Sequence, residues 1–272
     1  MNLPQEVLTE ETRQIVSRLL RDNQVVGVIG LRTEHNHTGP HLFTSADDLK
    51  ELTLEPRYPL ATICQAILSS LSQGKLGVIV RGCDERALIE MAKLTNIEME
   101  RLELIGLSCS EELARQCRCR RPYPSHIDVG EIVEGVSPLE DTQVRRLLEQ
   151  NVEERLAFWQ QEFARCIKCY GCRNICPVCI CTECVLKEEC WVERGQIPPE
   201  LQFHLIRAYH IADKCVGCGA CVAACPMEIP MTTFYTLVHE KLRELFDYEP
   251  GLDTKQKSPI TTTLEETPLR EL

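Results

Sequence analysis

Two stretches decide how this chain folds: CIKCYGCRNICP, from Cys166 to Pro177, and CVGCGACVAACP, from Cys215 to Pro226. Each has the form C-x2-C-x2-C-x3-C-P, which is the ligand run of a bacterial 4Fe-4S centre. Three thiolates two residues apart can wrap one cubane through a tight loop, and the fourth points away and reaches the other cubane. Two such runs therefore predict a crossed assignment. Cys166, Cys169, Cys172 and Cys225 hold one cluster, and Cys215, Cys218, Cys221 and Cys176 hold the second. Gly171, Gly217 and Gly219 relieve crowding where backbone bends round an inorganic core. Backbone N–H groups exposed there can donate to sulfide and thiolate and tune the potential. Pro177 and Pro226 end each loop. A zinc knuckle is the alternative. Zinc takes four ligands per site, and two matched, proline-terminated runs of thiolates are a poor match to it.

The region from about 160 to 232 resembles a dicluster ferredoxin domain of the 2[4Fe-4S] type. It departs from the compact pattern in a long insert, residues 178–214. That insert holds four more thiols, Cys179, Cys181, Cys184 and Cys190. They suffice for one metal, and three readings stay open: a third 4Fe-4S cluster, a structural zinc, or thiols that bind nothing. A cross-link of this kind would offset the chain entropy of an expanded loop.

The rest of the composition sets limits. The chain has 272 residues, 43% of them hydrophobic, so it can bury a core as one large domain or two ordinary ones. A net charge of −11 argues against a nucleic-acid partner, because phosphate binding needs a basic face. Seventeen cysteines cannot all close into disulfides within the chain. Most lie two to four positions apart, which in a reduced compartment reads as metal ligation. No apolar run is long enough to span a membrane, and the start, MNLPQEVLTEE, has no apolar signal core. The expected location is cytoplasmic, with a peripheral seat on a membrane complex left open.

Composition shifts near residue 140. Before it, VVGVIGL (25–31), LGVIV (76–80) and LELIGL (102–107) read as buried strands, with helical spacing over 60–71 and 85–94. Strand, helix, strand in this rhythm predicts an α/β domain over 1–140 with a mostly parallel sheet. Residues 141–165 read as one linking helix, with Val144, Leu147, Leu148, Val152, Leu156, Trp159 and Phe163 as its apolar stripe. An α+β ferredoxin-like domain with its insert follows over 166–232. Residues 233–272 then read as an amphipathic helix over 234–246 and a polar, threonine-rich tail from Glu249, loose unless a partner orders it. His35, His37 and His41 lie in TEHNHTGPH, read as a polar loop.

Five cysteines remain. Cys83 and Cys109 lie just beyond the second and third expected strands, at the edge where open α/β sheets place their sites. Cys117 and Cys119 follow closely, so Cys83, Cys109, Cys117 and Cys119 are candidates for a further cluster, with a thiol pair or flavin-side role and ordinary packing of buried thiols as the alternatives. Cys64 falls in a helical pattern and reads as packed. Arg81, Arg118, Arg120 and Arg121 place positive charge near these thiols. Arg81 and Arg118 are the candidates to contact an anionic cofactor.

The order GVIGL, HLFTSADDLKEL, LGVIVRGCDERALIEMAKL, LELIGLSC and RCRRPYPSHIDVG, over roughly 20–135, resembles the amino-terminal part of the coenzyme F420 hydrogenase/dehydrogenase beta-subunit family. The resemblance implies flavin and iron-sulfur chemistry coupled to a deazaflavin or a partner reductase. It also implies assembly with formate dehydrogenases, hydrogenases or heterodisulfide reductase-like complexes. FAD is a cofactor it implies, although the chain has no GxGxxG fingerprint. The expected function is an iron-sulfur electron-transfer subunit with two to four 4Fe-4S clusters, partnered by other redox subunits, a ferredoxin or a flavoprotein. A flavin-dependent F420 or ferredoxin oxidoreductase and a zinc-stapled assembly module are the alternatives. Phe163, Trp159 and Tyr170 read as packing that excludes water.

Overall fold

A computed structural model describes residues 4–94 and 96–260. The chain divides between Val136 and Ser137 into two compact units.

The first unit opens on α1 (Gln5–Arg21), which buries Thr12, Val16 and Leu19 at three- and four-residue steps. The sheet follows: β1 (Val28–Glu34), β2 (His37–Phe43), β3 (Leu52–Thr53), β4 (Leu76–Val80) and β5 (Leu102–Gly106). Its order is β2-β1-β4-β5, with β3 also paired to β1. The β1, β4 and β5 pairings are parallel, and β2 and β3 add antiparallel edges. β4 is buried along its whole length, as a central strand covered on both faces should be. α2 (Ala61–Ser70) and α3 (Gly82–Lys93) supply the crossover chain between parallel strands. The core gathers Val16, Val28, Phe43, Leu52, Ile79, Ile105 and Val129.

The histidine-rich stretch is not a loop but a hairpin. His35 and Asn36 take φ of 51° and 63°, as a two-residue primed turn requires, and Glu34 pairs with His37. His41 lies in β2 with its ring edge-on to Phe43 at 4.8 Å.

In the second unit the expected linking helix is two helices, α5 (Thr142–Glu149) and α6 (Val152–Phe163). Gln150 is extended, and Asn151 starts α6 with a capping box: its side chain accepts from Glu154 N at 2.9 Å, and Glu154 Oε2 accepts from Asn151 N at 3.1 Å. The restart breaks the stripe, so Val152 and Leu156 are 64% and 44% exposed while Val144, Leu147, Trp159 and Phe163 are buried. α7 (Gly171–Asn174), α8 (Leu201–Ile211), α9 (Ala220–Ala223) and α10 (Met231–Phe246) follow. The regular elements of this unit, among the described residues, are helices. Trp159, Phe163, Ala208, Ile211, Ile229, Met231 and Tyr235 form its core, with Cys166, Cys179, Cys215, Cys221 and Cys225 packed against it.

The tail from Glu249, expected loose, is tied down as far as Ser258. Tyr248 donates to Asp213 O at 2.9 Å, Glu249 pairs with Arg243 at 3.2 Å, and the Ser258 hydroxyl bonds the Asp213 carboxylate. The threonine-rich stretch begins at 261 and lies outside the described residues, as does the rest of the tail to 272.

Candidate iron-sulfur centres

The two cysteine runs take the same backbone path. Lys168 and Tyr170 stand at φ of 52° and 60°, and Gly217 and Gly219, at the same places in the second run, at 66° and 74°. Each left-handed residue turns backbone N–H groups inward. Lys168 N donates to Cys166 Sγ at 3.4 Å, Gly171 N to Cys169 Sγ at 3.5 Å, and Gly217 N–H likewise to Cys215. Glycine adopts this conformation freely, whereas a side chain there costs about 1–2 kcal/mol. The first run meets that cost with bonds to the insert: Tyr170 Oη donates to Leu186 O at 3.1 Å, and Lys168 Nζ bonds Glu193 O.

The runs then interleave. A Cβ added at Gly171 would stand 3.0 Å from Ala224 O, a tight contact that would make the second run give by a few tenths of an ångström, so glycine eases the close approach of the two runs. That contact brings Cys225, the next residue, toward Cys166, Cys169 and Cys172. The charges agree. Burial pushes the Cys166 thiol up, Lys168 N–H opposes it, and the remaining influences on it are Cys172, Cys225 and Cys169. Cys172 is pushed up by burial, drawn down by Arg207, and feels Cys225, Cys169 and Cys179. In the second group burial raises Cys215, which feels Cys221 and Cys218. Burial pushes Cys221 up to about 12, with Cys218 next. Cys176, Cys215, Cys218 and Cys221 line a single cavity with Arg207, Thr232, Tyr235 and His239. Cys225 thus lies within electrostatic reach of Cys166 and Cys172, and Cys176 shares a cavity lining with Cys215, Cys218 and Cys221.

Does this cavity suit a cubane? Arg207, on α8, is 2% exposed. Its Nη1 bonds the Tyr235 hydroxyl and its Nη2 donates to Cys172 O at 2.8 Å. Its Nε has no hydrogen-bond partner and is buried. An unpaired donor on a buried cation is costly, and a cavity walled by four thiols offers it no strong acceptor. An anionic occupant rich in sulfur would satisfy it, so the donor set fits a thiolate-held cluster. Among the described residues no three or more Cys, His, Asp or Glu side chains stand at the spacing of a single ion.

Trp159 and Phe163, read from the sequence as packing, lie in the core on which the cysteines pack; Tyr170 packs with Leu186, Val192 and Phe203. Phe163 stacks on His204 at 3.8 Å. Burial, then Arg207, lowers His204 to about 4, so it is neutral and acts as an aromatic wall.

The insert thiols differ in their surroundings. Cys179 hydrogen-bonds Cys176 and is lowered by that bond, with burial opposing it and Arg207 assisting. Cys184 packs near Tyr170, and Cys181 and Cys190 are exposed. The insert is more than a loop: α8 lies within it and carries Arg207, which the sequence reading did not single out.

In the first unit Cys109 follows β5 and Cys83 opens α3, both beyond the carboxyl ends of parallel strands. Cys109 is raised by burial, lowered by Arg81, and next feels Cys119 and Cys117. Arg81 Nη1 lies 3.9 Å from Cys109 Sγ, and its Nη2 donates to Leu54 O at 2.8 Å and Glu55 Oε1 at 2.9 Å. Arg86, also missed, donates to Cys119 Sγ at 3.6 Å and Arg121 O at 3.0 Å. Arg118 takes the left-handed C-cap of α4 (Glu111–Cys117), between Cys117 and Cys119. Cys64 is fully buried in α2.

This architecture, a parallel-cored α/β unit and a helical unit with interleaved cysteine runs, defines an iron-sulfur protein. Residues 208–230 match the 4Fe-4S binding domain, which takes in the second run, so the chain carries a 4Fe-4S ferredoxin domain. The chain is 37% identical over 140 residues to the F420-dependent formate dehydrogenase subunit beta of Methanocaldococcus jannaschii, covering 50% of this chain and 36% of that one. It is 38% identical over 96 residues to the F420-dependent formate dehydrogenase 1 subunit beta of Methanococcus maripaludis, covering 35% of this chain and 24% of that one. The chain therefore spans about a third or less of the length of these relatives. No helix among the described residues is long and apolar enough to cross a membrane.

Proposed function

We propose that this chain is an iron-sulfur electron-transfer subunit of a multi-subunit anaerobic oxidoreductase of the formate dehydrogenase, hydrogenase or heterodisulfide reductase-like kind. The interleaving of the two runs, with Cys225 beside Cys166 and Cys172 and Cys176 in the cavity of Cys215, Cys218 and Cys221, carries the reading. The eight cysteines would hold two 4Fe-4S clusters, which supply one-electron storage without rearrangement of ligands. The chain's own part is to hold and to shield. The left-handed turns aim N–H groups at sulfur, Trp159, Phe163 and Phe234 exclude water, and Arg207 offsets the negative charge of the thiolates. No acid, base or nucleophile is needed. Cys109, Cys117 and Cys119, with Arg81 and Arg86 on them and Cys83 nearby in sequence, are proposed as a third centre on the first unit. The insert thiols other than Cys179 are left as thiols.

The similarity to formate dehydrogenase beta subunits supports other redox subunits as partners, with a ferredoxin, a flavoprotein or a deazaflavin as the carrier served. Titrating anaerobic protein with a low-potential donor tests this. The expected result is uptake of one electron per cluster, bleaching of visible absorbance, and reoxidation by an added ferredoxin or flavin. Turnover of formate or hydrogen by this chain alone, or failure to take up electrons, would contradict it.

A further inference from the structure

We propose that one face of α10 supplies hydrogen-bond donors to the centre held by Cys215, Cys218, Cys221 and Cys176, with Thr232 and His239 stabilising its reduced form. This rests on the ligand reading above and concerns how the chain tunes that one centre.

Thr232, Tyr235, Thr236 and His239 fall on α10 at positions i, i+3, i+4 and i+7, so they share one face of the helix. That face lines a cavity, and among the described residues the cysteines lining it are Cys176, Cys215, Cys218 and Cys221. The Thr232 side chain hydrogen-bonds the Cys221 thiol. The Tyr235 hydroxyl is already engaged by Arg207. The Nε2 atom of His239 is different: it is buried and has no hydrogen-bond partner. The second set thus meets one donor in use and one imidazole nitrogen without an acceptor, both carried by a helix that follows the second cysteine run directly.

A polar atom buried without a partner is costly, and an anionic, sulfur-rich occupant of this cavity would remove that cost at His239. An imidazole ring carries an N–H, and a threonine hydroxyl an O–H, that can be given to thiolate or sulfide. Hydrogen bonds to an anion are stronger than those to a neutral acceptor. A cluster with thiolate ligands gains one further negative charge when it accepts an electron, so both donors favour the reduced form and raise the potential. The electron adds to the cluster alone: no bond forms or breaks at Thr232 or His239, and each keeps its proton. A poorly screened interior enlarges the difference between the two redox states. Because the face meets the cysteines of one set, the effect falls on the second centre.

The test uses the full chain, prepared anaerobically, with iron and sulfide counted and each centre titrated by electron paramagnetic resonance. Cys218→Ser identifies the signal of the second centre and Cys169→Ser that of the first. Thr232→Val keeps the shape of the side chain and removes the hydroxyl, and His239→Phe keeps a ring and removes the N–H. Each should lower the potential of the second centre, and the two together should change its reduction equilibrium tenfold, about 59 mV for a one-electron couple. The first centre should keep its potential. Thr232→Ser and His239→Gln, which retain a donor, should recover most of the loss. Loaded variants with an unchanged second centre, or with equal shifts at both centres, would overturn the proposal. A further measurement needs no variant at these positions. In native protein grown with 15N-histidine, the reduced signal assigned to the second centre should show coupling to a histidine nitrogen, and its absence would overturn the role of His239. Native protein without clusters would sink the ligand reading and this proposal with it, whereas clusters without these shifts would sink the proposal alone.

Discussion

Replacing Cys225 by alanine should damage the centre built by the other cysteine run. Read along the chain, Cys225 belongs with Cys215, Cys218 and Cys221. In the structure its neighbours are Cys166 and Cys172, brought there by the approach of Ala224 to Gly171. The change removes one sulfur atom from a partly buried position at the edge of the core, a loss of about 1 kcal/mol for an ordinary substitution. The apoprotein fold should therefore survive. Two cubanes give about eight irons per chain. Loss of one ligand releases at least the iron it held, and at most its whole cluster, so iron should fall by about one to four. A chemical iron count with electron paramagnetic resonance before and after reduction reads the outcome. The signal that Cys169→Ser perturbs should vanish or change in Cys225→Ala, while the one that Cys218→Ser perturbs should stay. If Cys225→Ala abolishes the Cys218 signal and spares the Cys169 signal, the crossed arrangement is wrong.

Other outcomes follow from the same geometry. Cys176→Ala should behave as the mirror case, sparing the Cys169 signal and removing the Cys218 one, as the cavity shared by Cys176, Cys215, Cys218 and Cys221 requires. In the apoprotein, burial raises Cys64 and Cys215 and pushes Cys221 up to about 12, whereas unfolded thiols titrate near 8.5. Above that pH the unfolded chain loses protons that the folded one keeps. Apoprotein stability should fall as pH rises from about 8.5 toward 12, by up to roughly 1.4 kcal/mol per unit for each thiol. Urea midpoints of native and Cys221→Ala apoprotein at neutral and alkaline pH measure it, and equal slopes would count against the assignment. Asn151→Ala removes the α6 cap and should cost about 1 kcal/mol in the same assay, with cluster content retained. Finally, Cys119→Ala should lower iron below the native count while leaving both ferredoxin-type signals intact. An unchanged count would remove the third centre from the first unit.

How much of this was written in the residue order depends on how local each signal is. The cysteine runs were legible because ligand spacing is a property of a dozen consecutive residues. Strand β4 was legible because a strand buried on both faces is apolar throughout, and LGVIV is found over the expected Leu76–Val80. The break at Asn151 was also in the sequence, as an N-x-x-E capping box, but seven apolar residues at helical steps outvoted it. Strand β2 was hidden: HTGPHLF contains histidine, glycine and proline, and it is extended because β1 pairs with it residue by residue. Helix α1 was hard to read because its buried face is carried by a few residues, Thr12, Val16 and Leu19, in an otherwise charged and polar stretch. Arg207 could not have been found locally. An arginine on a helix is ordinary, and what makes this one unusual is the burial given by Tyr235 and Cys172, each far away in the chain. The same holds for Arg86 on Cys119, while Arg81 could be suspected from its place at the end of a strand.

The central claim is that two interleaved thiolate sets hold 4Fe-4S clusters. Counting iron and acid-labile sulfide in the anaerobically isolated, folded chain tests it most directly. The account predicts no fewer than about eight of each per chain. Folded protein with zinc in place of iron, or with no labile sulfide, would contradict it.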